Sequence, residues 1–96
     1  MDYYIQKSRN TLEDNRFKTI SDFKWCVECG GEVEFIWNGL KYNITHRDGG
    51  VISISQAYRQ DTEKLCRSAD EVLEHMVGDD RLRDVITQVT VLDRTI

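Results

Sequence analysis

The sequence predicts one α+β domain: an N-terminal helix, a three-to-four-stranded and mostly antiparallel sheet, two short helices and a C-terminal strand, with the helices on one face. Three observations lead there. Residues 32–45 alternate apolar and polar around Asn38-Gly39, the dipeptide preferred in the tightest hairpins. Apolar residues recur at helical spacing in 20–29 and 68–77, and each stretch opens near a serine and closes on glycine. Finally, 96 residues of which 40% are hydrophobic suffice for one core without disulfide or metal staples.

Residues 1–18 read as a polar arm and 19–96 as the domain proper. In the arm Tyr3, Tyr4, Ile5, Leu12 and Phe17 are too scattered to define a face. At most a weak helix starts at Leu12 behind a Thr11 cap, and a partner would order the segment. The first firm helix is predicted from Ser21 as N-cap, with Asp22 in the favourable first turn and Ile20 stapling onto Trp25. At 100° per residue Ile20, Phe23 and Val27 share one face and Trp25 and Cys29 point away.

Around Asn38-Gly39 a two-residue loop sets Trp37 opposite Leu40, Phe35 opposite Tyr42 and Val33 opposite Ile44. All six side chains then fall on one face. A three-residue turn at Asp48-Gly49-Gly50 keeps Ile52 and Ile54 on that face, opposite His46 and Ile44; a two-residue turn would put them on the polar side. Leu65 and Cys66 form a short edge strand. Ser68 with Glu71 is a capping box, opening a helix through Val77 that points Val72, Leu73 and Met76 inward. Gly78 stops it, Asp79 or Asp80 caps a second short helix carrying Leu82, Val85 and Ile86, and Gln88 to Asp93 closes as a strand.

The run Trp25-Cys26-Val27-Glu28-Cys29-Gly30-Gly31 raises metal and redox chemistry. A redox Cys-x-x-Cys sits at a helix N-terminus, where the dipole favours thiolate; this pair falls at the other end. A zinc site would draw Cys66, His46 and His75 into the set, but their spacing does not form a second paired knuckle. The expectation is therefore packing thiols, no metal and no cofactor. Three cysteines, an odd number, fit a reducing cytoplasm. The chain holds no apolar run of membrane-span length and no signal segment, so a soluble cytoplasmic protein is expected.

Net charge is −4. Residues 1–18 hold three acids (Asp2, Glu13, Asp14) against four bases (Lys7, Arg9, Arg16, Lys18), leaving 14 acids against nine bases in the remainder. An acidic body repels nucleic-acid phosphates and suits a basic protein partner. Nothing resembles a nucleophile elbow or phosphate loop, and Arg81 and Arg83 interleave with Asp79, Asp80 and Asp84 where Mg²⁺ would otherwise bind. No enzyme activity is expected.

The runs Ile20-Ser21-Asp22-Phe23-Lys24-Trp25, Glu34 to Ile44 through Asn38-Gly39, Ser68 to Leu73 and Leu82 to Ile86 together resemble small uncharacterised proteins of Firmicutes and of their phages and mobile elements. The resemblance spans about residues 20–92. It implies no catalytic residues. Small acidic proteins of that origin and size include anti-CRISPR inhibitors, which as a class occlude basic nucleic-acid-binding clefts.

The expected function is thus a non-enzymatic protein-binding domain, an inhibitor of a basic nucleic-acid-processing protein such as a CRISPR effector nuclease. Candidate contact residues are Trp25, Glu32, Glu34 and Ile36, with Asp70, Glu74, Asp79 and Asp80 at the helical end. Bland alternatives are a Trp25 that staples its own helix, an Ile36 covered by the arm or a second copy, and acids that are simply solvated. Homodimerisation through an open sheet edge, or a small zinc-supported domain, is the competing reading.

Overall fold

A computed structural model describes residues 12–96, with side chains from residue 14 onward. The sequence's reading of residues 1–11 lies outside them. The fold is α+β: five antiparallel strands, β1 (Val33–Trp37), β2 (Leu40–Arg47), β3 (Val51–Gln56), β4 (Arg59–Cys66) and β7 (Thr90–Arg94), in the order β4-β3-β2-β1-β7, with short helices packed on one face.

Local chemistry builds the sheet from its middle. Strands β1 (Val33–Trp37) and β2 (Leu40–Arg47) meet at Asn38 and Gly39, whose φ values of 51° and 79° are the left-handed pair a type I′ turn requires. The register is the one the alternation dictates: Trp37 opposite Leu40, Phe35 opposite Tyr42, Val33 opposite Ile44. Phe35 and Tyr42 stack with ring centroids 5.3 Å apart. A three-residue turn at Asp48–Gly50 leads into β3 (Val51–Gln56), pairing His46 with Ile52 and Ile44 with Ile54 as expected.

Strand β4 corrects the sequence reading. It runs from Arg59 to Cys66, eight residues and not a short piece at Leu65 and Cys66. Its exposed stretch Arg59 to Asp61 carries no alternating apolar signal, and its turn carries no glycine. Gln56 pairs directly with Arg59, so Ala57 and Tyr58 make a two-residue turn with Tyr58 itself at φ 64°.

The helical layer also departs from expectation. Helix α1 is the single turn Leu12–Asn15; helix α2 spans Ile20–Glu28 and is capped by Thr19, not Ser21, the Thr19 Oγ1 accepting from Asp22 N at 3.0 Å. Both hydroxyls fit the cap rule, and Thr19 wins because it places Ile20 as the first helical residue against the core. Helix α3 (Ala69–Leu73) opens on the Ser68 cap and stops well short of Val77. Met76 and Val77 instead form β5, paired with β6 (Asp80–Arg81) through a turn at Gly78, φ 74°, and Asp79. A left-handed glycine serves a hairpin as readily as a helix stop. Met76, expected inward, is 51% exposed. Helix α4 (Leu82–Val85) is not capped by Asp79 or Asp80: Arg81 holds the N-cap position and its guanidinium has no acceptor to offer, while Asp80 bonds Trp37. The last strand, β7, is Thr90–Arg94.

The core joins sheet and helices. Phe35, Ile44 and Ile54 from the sheet meet Phe23 and Val27 of α2, Val72 and Leu73 of α3, and Leu82 and Ile86. Each such side chain contributes about 1.5–3 kcal/mol by burial. Phe17, placed by the sequence in the polar arm, is 0% exposed in this same cluster and packs edge-to-face on Phe23 at 5.2 Å. Arg94 fastens the segment. It bonds Asp22 Oδ1 and Oδ2 at 3.2 and 3.3 Å, donates to Asn15 O at 3.2 Å and lies 4.3 Å over the Phe17 ring. The domain thus includes at least residues 15–17. Among the described residues no helix is long and apolar enough to cross a membrane.

Candidate functional site

Inward-facing apolar residues of β1 to β3 alternate with Glu34, Ile36, Lys41, Asn43, Thr45 and Ser55, which therefore lie on the face away from the helices. No described element covers that face. It carries two shallow depressions. One of about 270 Å³ lies over the β7, β1 and β2 end, lined by Glu32, Glu34, Asn43, Thr45, Asp93 and Thr95. The other, about 250 Å³, shares Glu34 and Asn43 and continues over Lys41, Ser55 and Gln56 to Tyr58.

The first depression is acidic by construction. Glu34 and Asp93 are direct cross-strand partners. Glu32 is held beside them because its N donates to Thr95 Oγ1 at 2.9 Å and its O accepts from Thr95 N at 3.0 Å. Lys41 pairs with Glu34 at 3.2 Å. The Glu32 and Asp93 carboxylates are exposed and have no counter-ion among the described residues. At the other end Tyr58 is 93% exposed, with the Lys41 ammonium 5.9 Å from its ring centroid. Away from Tyr58, toward the other end of β4, Ser53 Oγ and Arg47 both donate to Glu63, and those two donors hold its carboxyl below the usual range, the hydroxyl contributing most.

The residues singled out from sequence fall in three places. Glu32, Glu34 and Ile36 lie on or beside the open face. Trp25, 57% exposed, stands on α2. Asp70 and Glu74 sit at the helical end, where they do not form a free acidic patch. Asp70 pairs with Lys24 at 3.2 Å and with Arg83 at 3.5 Å; Glu74 pairs with Arg83 at 3.0 Å and Arg81 at 3.5 Å. Three bases thus meet two acids. The Lys24 ammonium, then Arg83, holds the Asp70 carboxyl below the usual range. Asp80 accepts from Trp37 Nε1 at 2.9 Å, tying the β5-β6 hairpin to β1, and Asp79 is exposed in that hairpin's turn.

The thiols and imidazoles are dispersed. Cys26 lies inside α2 and Cys66 at the end of β4, both buried; Cys29 is exposed at the α2 C-cap. Burial pushes the Cys26 thiol up against the opposing pull of Arg94, and burial likewise raises Cys66. His46 Nε2 lies 3.0 Å from Gly31 O, and since a carbonyl only accepts, that nitrogen carries the proton. Among the described residues no three His, Cys, Asp or Glu side chains are grouped to hold a metal ion.

Sequence reasoning missed Asp93, Thr95 and Tyr58. Asp93 was legible only as the polar end of a strand, because nothing local says β7 joins β1 and sets Asp93 beside Glu34. Tyr58 carried no signal, standing where a turn ordinarily uses glycine or asparagine. No protein-family model matches the chain, and no curated protein or solved structure matches it.

Proposed function

We propose that the chain is a small non-enzymatic binding domain of a phage or mobile element. It acts in the cytoplasm as a stoichiometric inhibitor of a basic nucleic-acid-processing host protein, of the kind that blocks CRISPR effector nucleases. One observation supports this reading above the others: a sheet face that no described element covers, at one end of which Glu32, Glu34 and Asp93 share a depression and, among the described residues, only Glu34 has a basic partner, Lys41. Such a surface attracts and orients a cationic protein and repels nucleic acid. At the helical end Asp70 and Glu74 are matched by Lys24, Arg81 and Arg83 and so contribute less to that attraction. The test is inhibition of DNA cleavage by purified effector nucleases at increasing ratios of the chain. Inhibition saturating near one chain per nuclease and weakening with salt, as charge attraction is screened beyond about 10 Å at 0.1 M, supports the reading. If the chain neither inhibits nor binds any such basic protein, the reading fails.

A second reading has one specific observation behind it. Strand β4 is an edge of eight residues with no neighbour on its outer side among the described residues, and Leu65 on it is 53% exposed. Two copies can join there by strand addition. Light scattering at rising concentration distinguishes the two.

A further inference from the structure

The two depressions adjoin at Glu34 and Asn43, which line both, and together they span β7, β1, β2 and β3 to end at Tyr58. Their charge is graded. Glu32, Glu34 and Asp93 ring one end, whereas toward Tyr58 the charges are matched, Lys41 with Glu34 and Arg59 with Asp61 at 2.9 Å. We propose that this trough takes an extended segment of the basic partner laid across the strands, with an arginine side chain seated between Glu32, Glu34 and Asp93 and a neutral residue against Tyr58. The inference rests on the reading of the chain as a binder of a basic protein.

Chemistry favours arginine at the acidic end. A guanidinium presents five donors in a planar fork and forms paired bonds to carboxylates, whereas an ammonium is a compact charge that is costlier to dehydrate. The Glu32 and Asp93 carboxylates supply the missing anionic acceptors, and the Thr45 hydroxyl and Asn43 side chain offer further ones in the same depression. The backbone that carries the acids is fixed. Glu32 N and O both bond Thr95, and Asp93 is registered against Glu34, so the strand ends that bear the carboxylates are held side by side before the ligand arrives. At the far end the Lys41 ammonium already faces the Tyr58 ring and disfavours a second cation there. Crossing three strand spacings of about 4.8 Å takes an extended segment of roughly four to six residues.

Peptide titrations of the ¹⁵N-labelled full chain test it, using capped hexa-arginine, hexalysine and neutral hexacitrulline. Saturable amide shifts at residues 32–34, 43–45 and 93–95 are expected with hexa-arginine, weaker binding with hexalysine and none with hexacitrulline. Glu32→Gln with Asp93→Asn should weaken hexa-arginine by about tenfold or more, while Asp79→Asn with Asp84→Asn should not. Retention of the wild-type amide pattern in the variants shows that they fold. Saturable binding centred on residues 79–84, or left unchanged by the Glu32 and Asp93 variants, overturns the trough and leaves the basic-partner reading standing. No saturable binding of either cationic peptide overturns the trough, and the nuclease assay then decides the basic-partner reading separately. Peptide-free, concentration-dependent shifts along the trough assign it to a second copy and overturn the proposal.

Discussion

Truncating Phe17 to alanine tests whether the segment ahead of α2 belongs to the core. The ring is 0% exposed, meets Phe23 edge-to-face at 5.2 Å and supports the Arg94 guanidinium 4.3 Å above it. A buried Phe→Ala change costs about 3–5 kcal/mol in lost transfer energy and residual cavity. Loss of the cation–π contact adds about 0.5–1 kcal/mol or more for a partly buried cation. A domain of this size is stable by only about 5–15 kcal/mol, so the variant should lose a large share of its margin. With each kcal/mol worth about 4–8 °C in a chain of under 100 residues, the melting temperature should fall by at least roughly 12 °C. Urea unfolding followed by tryptophan fluorescence and circular dichroism measures it. Should the alanine variant not fold, Phe17→Leu keeps most of the volume and should cost under about 1.5 kcal/mol if repacking succeeds. A loss below about 1 kcal/mol for Phe17→Ala, with an unchanged denaturant slope, would refute the assignment of Phe17 to the core.

Three further outcomes are expected. Tyr58→Gly should stabilise by roughly 0.5–1 kcal/mol, since φ 64° strains any L side chain and the 93% exposed ring contributes little packing; unchanged or lower stability in urea would show that the ring is held by contacts. A colourless-to-yellow thiol assay should count one fast-reacting thiol in the native protein, Cys29, and three after denaturation, because Cys26 and Cys66 are buried with thiol pKa values pushed up. Burial, helped by Lys64, lowers the His75 pKa, so the folded state binds fewer protons than the unfolded one near the ordinary value of 6.5. The His75 contribution is complete above that value and is lost as pH falls through the folded one; His75→Gln should flatten the drop in urea midpoint between about pH 7 and 5.

The parts of the fold legible in the sequence are those in which short-range chemistry decides. Asn38-Gly39 with its flanking alternation, the Asp48-Gly49-Gly50 turn and the Ser68 cap each define their geometry within a few residues, and each register or cap appears where those residues place it. The parts that escaped depend on distant partners. Phe17 looks isolated until Phe23 and Arg94 close around it, and β4 looks polar and formless because an edge strand needs no buried stripe. For the candidate site, Glu32 and Glu34 were readable as outward acids of a strand, but the depression they share with Asp93 arises from pairing between segments some sixty residues apart. Asp70 and Glu74 misled in the opposite direction: their arginine and lysine partners come from α2 and the α4 region, and turn a local surplus of acid into a neutralised network.

Arg94 fixes when the molecule can finish folding. Its partners Asn15, Phe17 and Asp22 leave the ribosome before it and wait for a residue more than seventy positions downstream, and β1 waits for the same strand on its open side. Such long loops slow closure and leave early products incomplete. A nascent chain arrested before residue 90 would hold three or four paired strands with β1 unzipped at one margin, vulnerable there to proteases and to pairing with its neighbours, and delivery of β7 would close that margin.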